Sequence, residues 1–246
     1  MSQITHSILV VDDDVDACEN LSDIFRDLGH DVDVVHDGNA ALDLVRKKPY
    51  DVALLDFKLP DMDGLTLYRE IRKLRSETVS LIITAFPSPE TRAAAREAGA
   101  FEILSKPVEF SKLLPLVEKA IRQPLILIVD DDRDLCESLW DIFRERGYRM
   151  ARAHDVQTAK ERLKENEFQV VLIDMKLPTG NGSNVLLQVG QSSPAARTIL
   201  ITGYRSEMEL QIEEALHEGV DAVCCKPFDV PQLLKTVEKL SRRKGE

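Results

Sequence analysis

The sequence predicts two α/β domains, each built around a doubly wound parallel sheet with helices on both faces. An internal repeat gives the number of domains: Ile8–Arg26 matches Ile126–Arg144 at 14 of 19 positions, with a constant offset of 118 residues. Within each copy, five β-rich runs alternate with segments of helical periodicity. A chain of 246 residues therefore holds two units of ordinary size. Five successive βα units predict parallel strands joined by right-handed crossovers.

The strands predicted in the first half are short and almost continuously apolar, which is typical of strands buried on both faces. They are Ile8–Val11, Val32–His36, Val52–Asp56, Val79–Thr84 and Phe101–Ser105. Apolar residues at three- and four-residue steps indicate the first helix, from Cys18 to Leu28, and Gly29 is placed to end it. Similar patterns predict helices at Asn39–Lys47, Leu65–Leu74, Pro89–Ala98 and Glu109–Ile121.

The second half repeats this order of elements. Its predicted strands are Leu125–Val129, Tyr148–Ala153, Val170–Asp174, Thr198–Thr202 and Ala222–Cys225, and a last helix runs from about Val230 to Leu240. We therefore expect one domain at residues 7–122 and another at residues 125–241, with only Gln123 and Pro124 between them.

Composition excludes several classes of protein. The chain is 43% hydrophobic and 30% charged, and no apolar run approaches the length that spans a bilayer. The N-terminal sequence MSQITHS lacks the features of a signal peptide, so we expect a cytoplasmic protein that does not contact a membrane. The net charge is −11, and both halves are acidic, with 15 basic and 22 acidic residues in 1–123 and 17 and 21 in 124–246. This charge argues against nucleic-acid binding.

The four cysteines do not indicate a disulfide framework. Cys18 and Cys136 occupy equivalent repeat positions on apolar helix stripes, which predicts that they pack in the core. Cys224 and Cys225 are adjacent, and a redox-active pair is the less favoured reading of them. A zinc site would need further ligands, and the five histidines are scattered.

Polar residues follow the predicted strands of the first half at their carboxyl ends. Asp12 and Asp13 follow strand 1, Asp56 ends strand 3, Thr84 ends strand 4 and Lys106 follows strand 5. Ligands of open α/β sheets gather at this edge. If strands 1 and 3 are neighbours, as in the flavodoxin-like order 2-1-3-4-5, the three carboxylates converge.

Converging carboxylates repel one another, at a cost of about 4 kcal/mol per pair at 4 Å and an effective dielectric near 20. A bound divalent cation would relieve this repulsion, and an all-oxygen set of ligands favours Mg²⁺. A nearby hydroxyl and ammonium suit a phosphoryl group on an acceptor carboxylate. The second half offers the same set: Asp130, Asp131, Asp174, Thr202 and Lys226. For the neighbouring acids a role as helix caps is the simpler explanation; these are Asp14, Asp16, Asp132 and Asp134.

With these residues the chain resembles the response-regulator receiver family of two-component signalling. The resemblance covers about Ser7–Arg122 and Leu125–Ser241. Its motifs are the acidic pair after strand 1, LLDFKLPDMDGL and LIDMKLPTGNG around the acceptor, IITA and LITG, and SKP and CKP. Each motif is short, but their combination in this order is specific.

The resemblance implies a role for each member of the two sets. The implied phosphoacceptors are Asp56 and Asp174. The implied Mg²⁺ ligands are Asp13 and Asp131, the acceptors Asp56 and Asp174 themselves, Asp12 and Asp130 directly or through water, and the backbone carbonyls of Lys58 and Lys176. The residues implied to contact the phosphoryl group are Thr84, Thr202, Lys106 and Lys226. The peptide bonds between each of these lysines and the following proline are expected to be cis.

Family members often carry an aromatic residue three positions before the lysine, where this chain has Ile103 and Val223, so the aromatic form of the switch is in doubt. The spacing of 24 residues from Thr202 to Lys226, against 22 in the first half, predicts a longer fourth helix or adjoining loop.

Phe86 and Tyr204 are hypothesised to shield the acyl phosphate from water. Trp140 is expected to pack in the core, with a partner anchor as the alternative.

The leading hypothesis is a tandem receiver protein that takes phosphoryl groups from a histidine kinase or a histidine phosphotransfer protein. It would signal through protein contacts, with no enzymatic activity beyond its own phosphotransfer and dephosphorylation and with no output module after the second receiver. A scaffold that acts without phosphorylation is the alternative. A phospho-aspartyl hydrolase is disfavoured, because that chemistry needs an aspartate where Lys58 and Lys176 stand.

Overall fold

The computed structural model describes residues 5–178, 180–203, 219–227 and 229–241. The chain divides into two compact units, Met1–Gln123 and Pro124–Glu246. The elements of the first unit are β1 (Ser7–Val11), α1 (Val15–Asp27), β2 (Asp31–Val35), α2 (Gly38–Lys47), β3 (Val52–Asp56), α3 (Gly64–Leu74), β4 (Val79–Thr84), α4 (Pro89–Ala98), β5 (Glu102–Ser105) and α5 (Phe110–Arg122).

Over its described residues the second unit repeats the order of elements of the first and adds two short strands. Its elements are β6 (Leu125–Val129), α6 (Arg133–Glu145), β7 (Arg149–Ala153), α7 (Val156–Glu165), β8 (Val170–Asp174), β9 (Lys176–Leu177), β10 (Gly180–Asn181), α8 (Gly182–Ser192), β11 (Arg197–Thr202), β12 (Ala222–Cys225) and α9 (Val230–Ser241). The short antiparallel pair of β9 and β10 has no counterpart among the predicted elements.

Each unit contains a five-stranded sheet whose strands are all parallel. The first sheet has the order β2-β1-β3-β4-β5, and the second has the order β7-β6-β8-β11-β12. Both correspond to the order 2-1-3-4-5, so the predicted fold class is confirmed. The strand order reverses between the first and third strands of each unit, and ligands of such sheets bind at this point.

The sheets are buried on both faces because their strands are apolar at successive positions. In β1, Leu9 and Val11 face a core formed with α2, α3 and α4, whereas Ile8 and Val10 face a core formed with α1 and α5. Alternate residues of a strand point to opposite faces, so one apolar run serves both cores. The second sheet has two equivalent cores, and Trp140 is buried in one of them, as predicted.

Capping side chains, a glycine with positive φ and the extent of strand pairing determine where helices and strands end. Asp14 and Asp132 cap α1 and α6 by accepting hydrogen bonds from the backbone, as the sequence predicts. Gly29 has a φ of 87° just beyond α1, a conformation in which glycine carries no steric penalty. The predicted strand Val32–His36 is displaced by one residue, because the ladder with β1 ends at the pair of Val11 and Val35. His36 is thus released from the sheet.

Two further sequence predictions concern membranes and cysteines. None of the helices within the described ranges is long and apolar enough to cross a membrane. Cys18 and Cys136 are free and fully buried, as expected, and Cys224 and Cys225 are free and half-buried. The longer fourth helix or loop predicted for the second half, and Tyr204 with it, lie outside the described residues.

The two units should respond differently to acid because of one histidine. The Nδ1 atom of His30 is buried and has no hydrogen-bond partner within the described part of the chain. Burial lowers the pKa of His30, and the neighbouring His6 lowers it further, whereas Asp51 and Glu118 oppose the change. The unfolded chain, with an ordinary histidine pKa near 6.5, takes up this proton first as the pH falls. His30 therefore makes the first unit less stable below about pH 6.5.

The equivalent position of the second unit holds Tyr148, whose ring packs edge-on against Phe143. We expect His30→Tyr to weaken the loss of stability between about pH 7.5 and pH 5.5. Urea unfolding of the full chain at both pH values would measure this, with Trp140 fluorescence reporting the second unit and circular dichroism reporting both. The same pH dependence in the variant and the parent chain would contradict the assignment.

Candidate functional site

The carboxyl ends of the first and third strands bring three acids together in each unit. Oxygen atoms of Asp12, Asp13 and Asp56 all lie within 4.8 Å of one another. Asp12 and Asp56 are only 3% and 5% exposed, whereas Asp13 faces solvent. Because β1 and β3 are parallel neighbours, their ends meet at one edge of the sheet. The second unit places its own three acids in the same way: Asp130, Asp131 and Asp174.

A lysine ammonium bridges the two buried acids of each cluster. Lys106 Nζ lies 2.7 Å from Asp12 Oδ2 and 2.9 Å from Asp56 Oδ1. The lysine comes from the turn after β5, where a cis peptide bond joins it to Pro107. Lys226 repeats the bridge, with distances of 2.7 Å to Asp130 Oδ2 and 2.8 Å to Asp174 Oδ2. It also precedes a cis proline.

The electrostatics of the clusters are those of crowded, poorly solvated acids. Burial raises the pKa of Asp56, and the charge of Asp12 adds to this effect. In the second unit, burial raises the pKa of Asp130, and the charge of Asp174 acts in the same direction. Burial lowers the pKa of Lys106, but its hydrogen bonds to the two acids outweigh this and raise the pKa on balance. The lysine therefore stays charged.

The loop after the third strand orients the acid at its end. The backbone N–H of Lys58 donates to Asp56 Oδ2 at 3.0 Å, and that of Lys176 donates to Asp174 Oδ1 at 3.1 Å. The loop then returns to the strand end so closely that a Cβ on Gly64 would lie 2.3 Å from the carbonyl oxygen of Asp56. Only glycine fits such an approach, and Gly182 has the same role in the second unit, at 2.6 Å from the carbonyl oxygen of Asp174.

The remaining predicted site residues are the threonines that end the fourth strand of each sheet. Thr84 and Thr202 are 6% and 1% exposed at the ends of β4 and β11. The hydroxyl oxygen of Thr84 accepts a hydrogen bond of 3.3 Å from the backbone N–H of Phe86, whose ring is 88% exposed. In the first unit, a cleft of about 770 Å³ is bordered by Asp13, Asp56, Thr84, Phe86, Lys106 and the loop 57–63. Ile103, at the position expected for an aromatic switch, is buried.

Sequence reasoning missed one pair of contacts at each site. The backbone carbonyl of Asp12 lies 2.9 Å from His36 Nδ1 and accepts a hydrogen bond of 3.3 Å from Cys18 Sγ. In the second unit the carbonyl of Asp130 has the equivalent partners, His154 Nδ1 at 2.9 Å and Cys136 Sγ at 3.5 Å. All four residues obey the 118-residue offset, and this was the signal that could have singled them out.

The buried thiols at these contacts are unreactive. Burial raises the pKa of Cys18 to about 11 and that of Cys136 to about 12. Thiols act as nucleophiles and as metal ligands in their ionised form, so neither is suited to such a role at neutral pH. The site is therefore a set of carboxylates with a hydroxyl and an ammonium, which fits a hard divalent cation and a phosphoryl group better than a soft metal.

Comparison with known proteins matches both units to the same family. The family model described as "Response regulator receiver domain" matches residues 8–118 and 126–238. A response regulator receiver protein of Anaeromyxobacter sp. (strain Fw109-5) is 34% identical over 238 residues, which cover 97% of this chain and 96% of that protein. The transcriptional regulatory protein ZraR of Salmonella typhimurium is 42% identical over 114 residues, which cover 46% of this chain and 26% of ZraR.

Among solved structures, a CheY-like receiver domain protein from Methanospirillum hungatei JF-1 is 29% identical to this chain. The match covers 48% of this chain and 94% of that structure, with a TM-score of 0.47. The family model accounts for most of both units, and the relative from Anaeromyxobacter matches almost the whole length. The chain therefore belongs to the response-regulator receiver family of two-component signalling and carries two receiver domains in tandem.

Proposed function

We propose that each receiver domain accepts a phosphoryl group with the help of Mg²⁺, on Asp56 in the first domain and on Asp174 in the second. One observation supports this above all. In both domains a buried carboxylate at the end of the third strand lies against a second buried acid and a bridging lysine. Perturbed charge clusters of this kind concentrate at functional sites. We propose residues 7–122 and 125–241 as the bounds of the domains.

The donor set of each cluster suits Mg²⁺. In the first domain the carboxylates of Asp12 and Asp13, with Asp56 and the backbone carbonyl of Lys58, would hold the ion; in the second the equivalent residues are Asp130, Asp131, Asp174 and Lys176. When bound, Mg²⁺ neutralises charge on the acids and on the phosphoryl oxygens. Asp13 and Asp131 are exposed, so the ion has access from solvent.

The side chains of the protein itself would carry the transfer. A carboxylate oxygen of Asp56 attacks phosphorus, the new O–P bond forms, and the bond from phosphorus to the donor breaks with its electron pair passing to the donor atom. The ammonium of Lys106, now 2.9 Å from Asp56, would pair with the phosphoryl oxygens. The hydroxyl of Thr84 faces the same cleft and would donate a hydrogen bond to them. Phe86, at the mouth, remains the candidate for excluding water.

The partners follow from the chemistry of the acceptor. Receiver domains interact in general with histidine kinases or histidine phosphotransfer proteins, and we propose one of these as the donor and a protein as the downstream target. We expect no enzymatic activity beyond phosphotransfer and dephosphorylation at the two acids. A cytoplasmic location remains a prediction.

Incubation with acetyl phosphate and Mg²⁺ followed by intact-mass measurement tests the proposal. The full chain should gain two phosphoryl groups, Asp56→Asn and Asp174→Asn should each gain one, and the double variant should gain none. Chelation of the metal should abolish the labelling in all of them. Absence of labelling in the parent chain, or labelling that survives in the double variant, would refute the assignment of the two acceptors.

The bridging lysine gives a second test. Among the described residues, Lys106 provides the only ammonium in contact with the acceptor Asp56. In the Asp174→Asn background, Lys106→Met should therefore lower the rate of labelling at Asp56 by about a hundredfold. Lys112→Met is a matched control, since Lys112 is exposed and its ammonium pairs with Glu109, the residue just before α5, away from the acids of the site. Equal labelling rates in the two lysine variants would remove Lys106 from the reaction.

A further inference from the structure

The peptide group that joins the two acids after the first strand is held from two sides in both domains. The carbonyl oxygen of Asp130 lies 2.9 Å from His154 Nδ1 and 3.5 Å from Cys136 Sγ. The carbonyl oxygen of Asp12 has the same two partners, His36 at 2.9 Å and Cys18 at 3.3 Å. Histidine and cysteine come from different elements, the turn after the second strand and the first helix, so their convergence depends on the fold.

This carbonyl needs side-chain partners because the sheet has ended there. The backbone N–H of Asp130 still donates to the carbonyl of Ala153 at 3.0 Å, but the strand β6 stops at Val129. The carbonyl of Asp130 and the N–H of Asp131 belong to one planar peptide unit. Fixing the carbonyl therefore fixes the direction in which the chain leaves Asp130, and with it the place of the exposed acid, Asp131.

The chemistry of the contact determines which histidine nitrogen carries the proton. A carbonyl oxygen can only accept hydrogen bonds, so Nδ1 of His154 and of His36 must be the protonated nitrogen. His36 is exposed whereas His154 is half-buried, so water can replace the N–H of His36 more easily. Loss of the contact between His154 and the carbonyl of Asp130 should therefore have a larger effect than loss of the contact between His36 and the carbonyl of Asp12.

We propose that His154, and to a smaller degree His36, are positioning residues for the metal site. Each holds the peptide plane between its two acids in the orientation that lets both carboxylates reach one cation. The inference rests on the proposed function, because it assigns these histidines to the Mg²⁺ site of that proposal. They act through the backbone and touch neither the ion nor the phosphoryl group.

The first experiment determines which imidazole nitrogen carries the proton, and so whether Nδ1 can donate the hydrogen bond. Imidazole ¹⁵N–¹H correlation spectra of the full chain at about pH 8, above the ordinary histidine pKa, should show His36 and His154 with the proton on Nδ1. His→Asn variants at the two positions assign the signals. Neutral imidazoles with the proton on Nε2 at both positions would overturn the inference, since Nδ1 could then not donate to the carbonyl.

The second experiment measures Mg²⁺ binding without phosphorylation. Backbone amide resonances follow each domain separately during a Mg²⁺ titration of the full chain, so the first domain is an internal control for changes in the second. His154→Leu should raise the Mg²⁺ dissociation constant of the second domain by about three- to tenfold, the range expected for one lost hydrogen bond. His36→Leu should raise that of the first domain by about twofold at most.

His154→Asn is the rescue variant, because its side-chain N–H₂ reaches the place of Nδ1. It should bind Mg²⁺ within about twofold of the parent chain, since the donor to the carbonyl is retained. An unchanged dissociation constant in His154→Leu, or an equal loss in His154→Asn and His154→Leu, would overturn the inference. If the parent chain showed no Mg²⁺-dependent shifts at either site, the proposed function would fail instead, and the imidazole spectra would still decide the hydrogen bond.

Discussion

Repulsion between carboxylates at the end of two neighbouring strands is the constraint on which both sites depend. Asp12 and Asp56 are buried beside each other, and the ammonium of Lys106 lies between them. With Asp13 at the mouth, three negative charges face one positive charge among the residues that the structure describes. The surplus of two negative charges matches a divalent cation. The fold tolerates this arrangement because the lysine bridge, the backbone N–H groups and access to solvent together reduce the cost of burial.

The duplication preserves this core chemistry and varies what surrounds it. Both domains keep the acids, the lysine and the tightly approaching glycine after the third strand. The loop that carries the glycine differs. In the first domain Asp61 accepts hydrogen bonds from the N–H groups of Gly38 and Asn39 at the start of α2, and the equivalent position in the sequence of the second domain is Thr179. The antiparallel bridge between Lys58 and Asp63 corresponds to the pairing of β9 and β10. The two separate sites thus have the same acids and the same bridging lysine, whereas the loops beside them differ in sequence.

Much of the fold and of the candidate site follows from the sequence, because both depend on patterns that a single chain displays. Continuous apolar runs reveal strands buried on two faces, and acids directly after such runs must lie at the carboxyl edge. The sequence could not show which side chains contact groups that are distant along the chain. Whether Lys106 contacts both acids depends on the turn after β5. The repeated positions of His36 and His154 single these residues out, but they do not say which backbone carbonyl the side chains contact. The antiparallel pair β9 and β10 is too short for periodicity to reveal.

The most direct test of the proposal that each domain has its own phosphoacceptor site uses beryllofluoride, which mimics a phosphoryl group on a carboxylate. ¹⁹F NMR of the full chain with beryllofluoride and Mg²⁺ should show two sets of bound fluorine signals. Asp56→Asn should remove one set and leave the other, and Asp174→Asn should do the reverse. One set of signals that disappears in either variant, or bound signals that persist when both acids are replaced, would contradict the account of two independent sites.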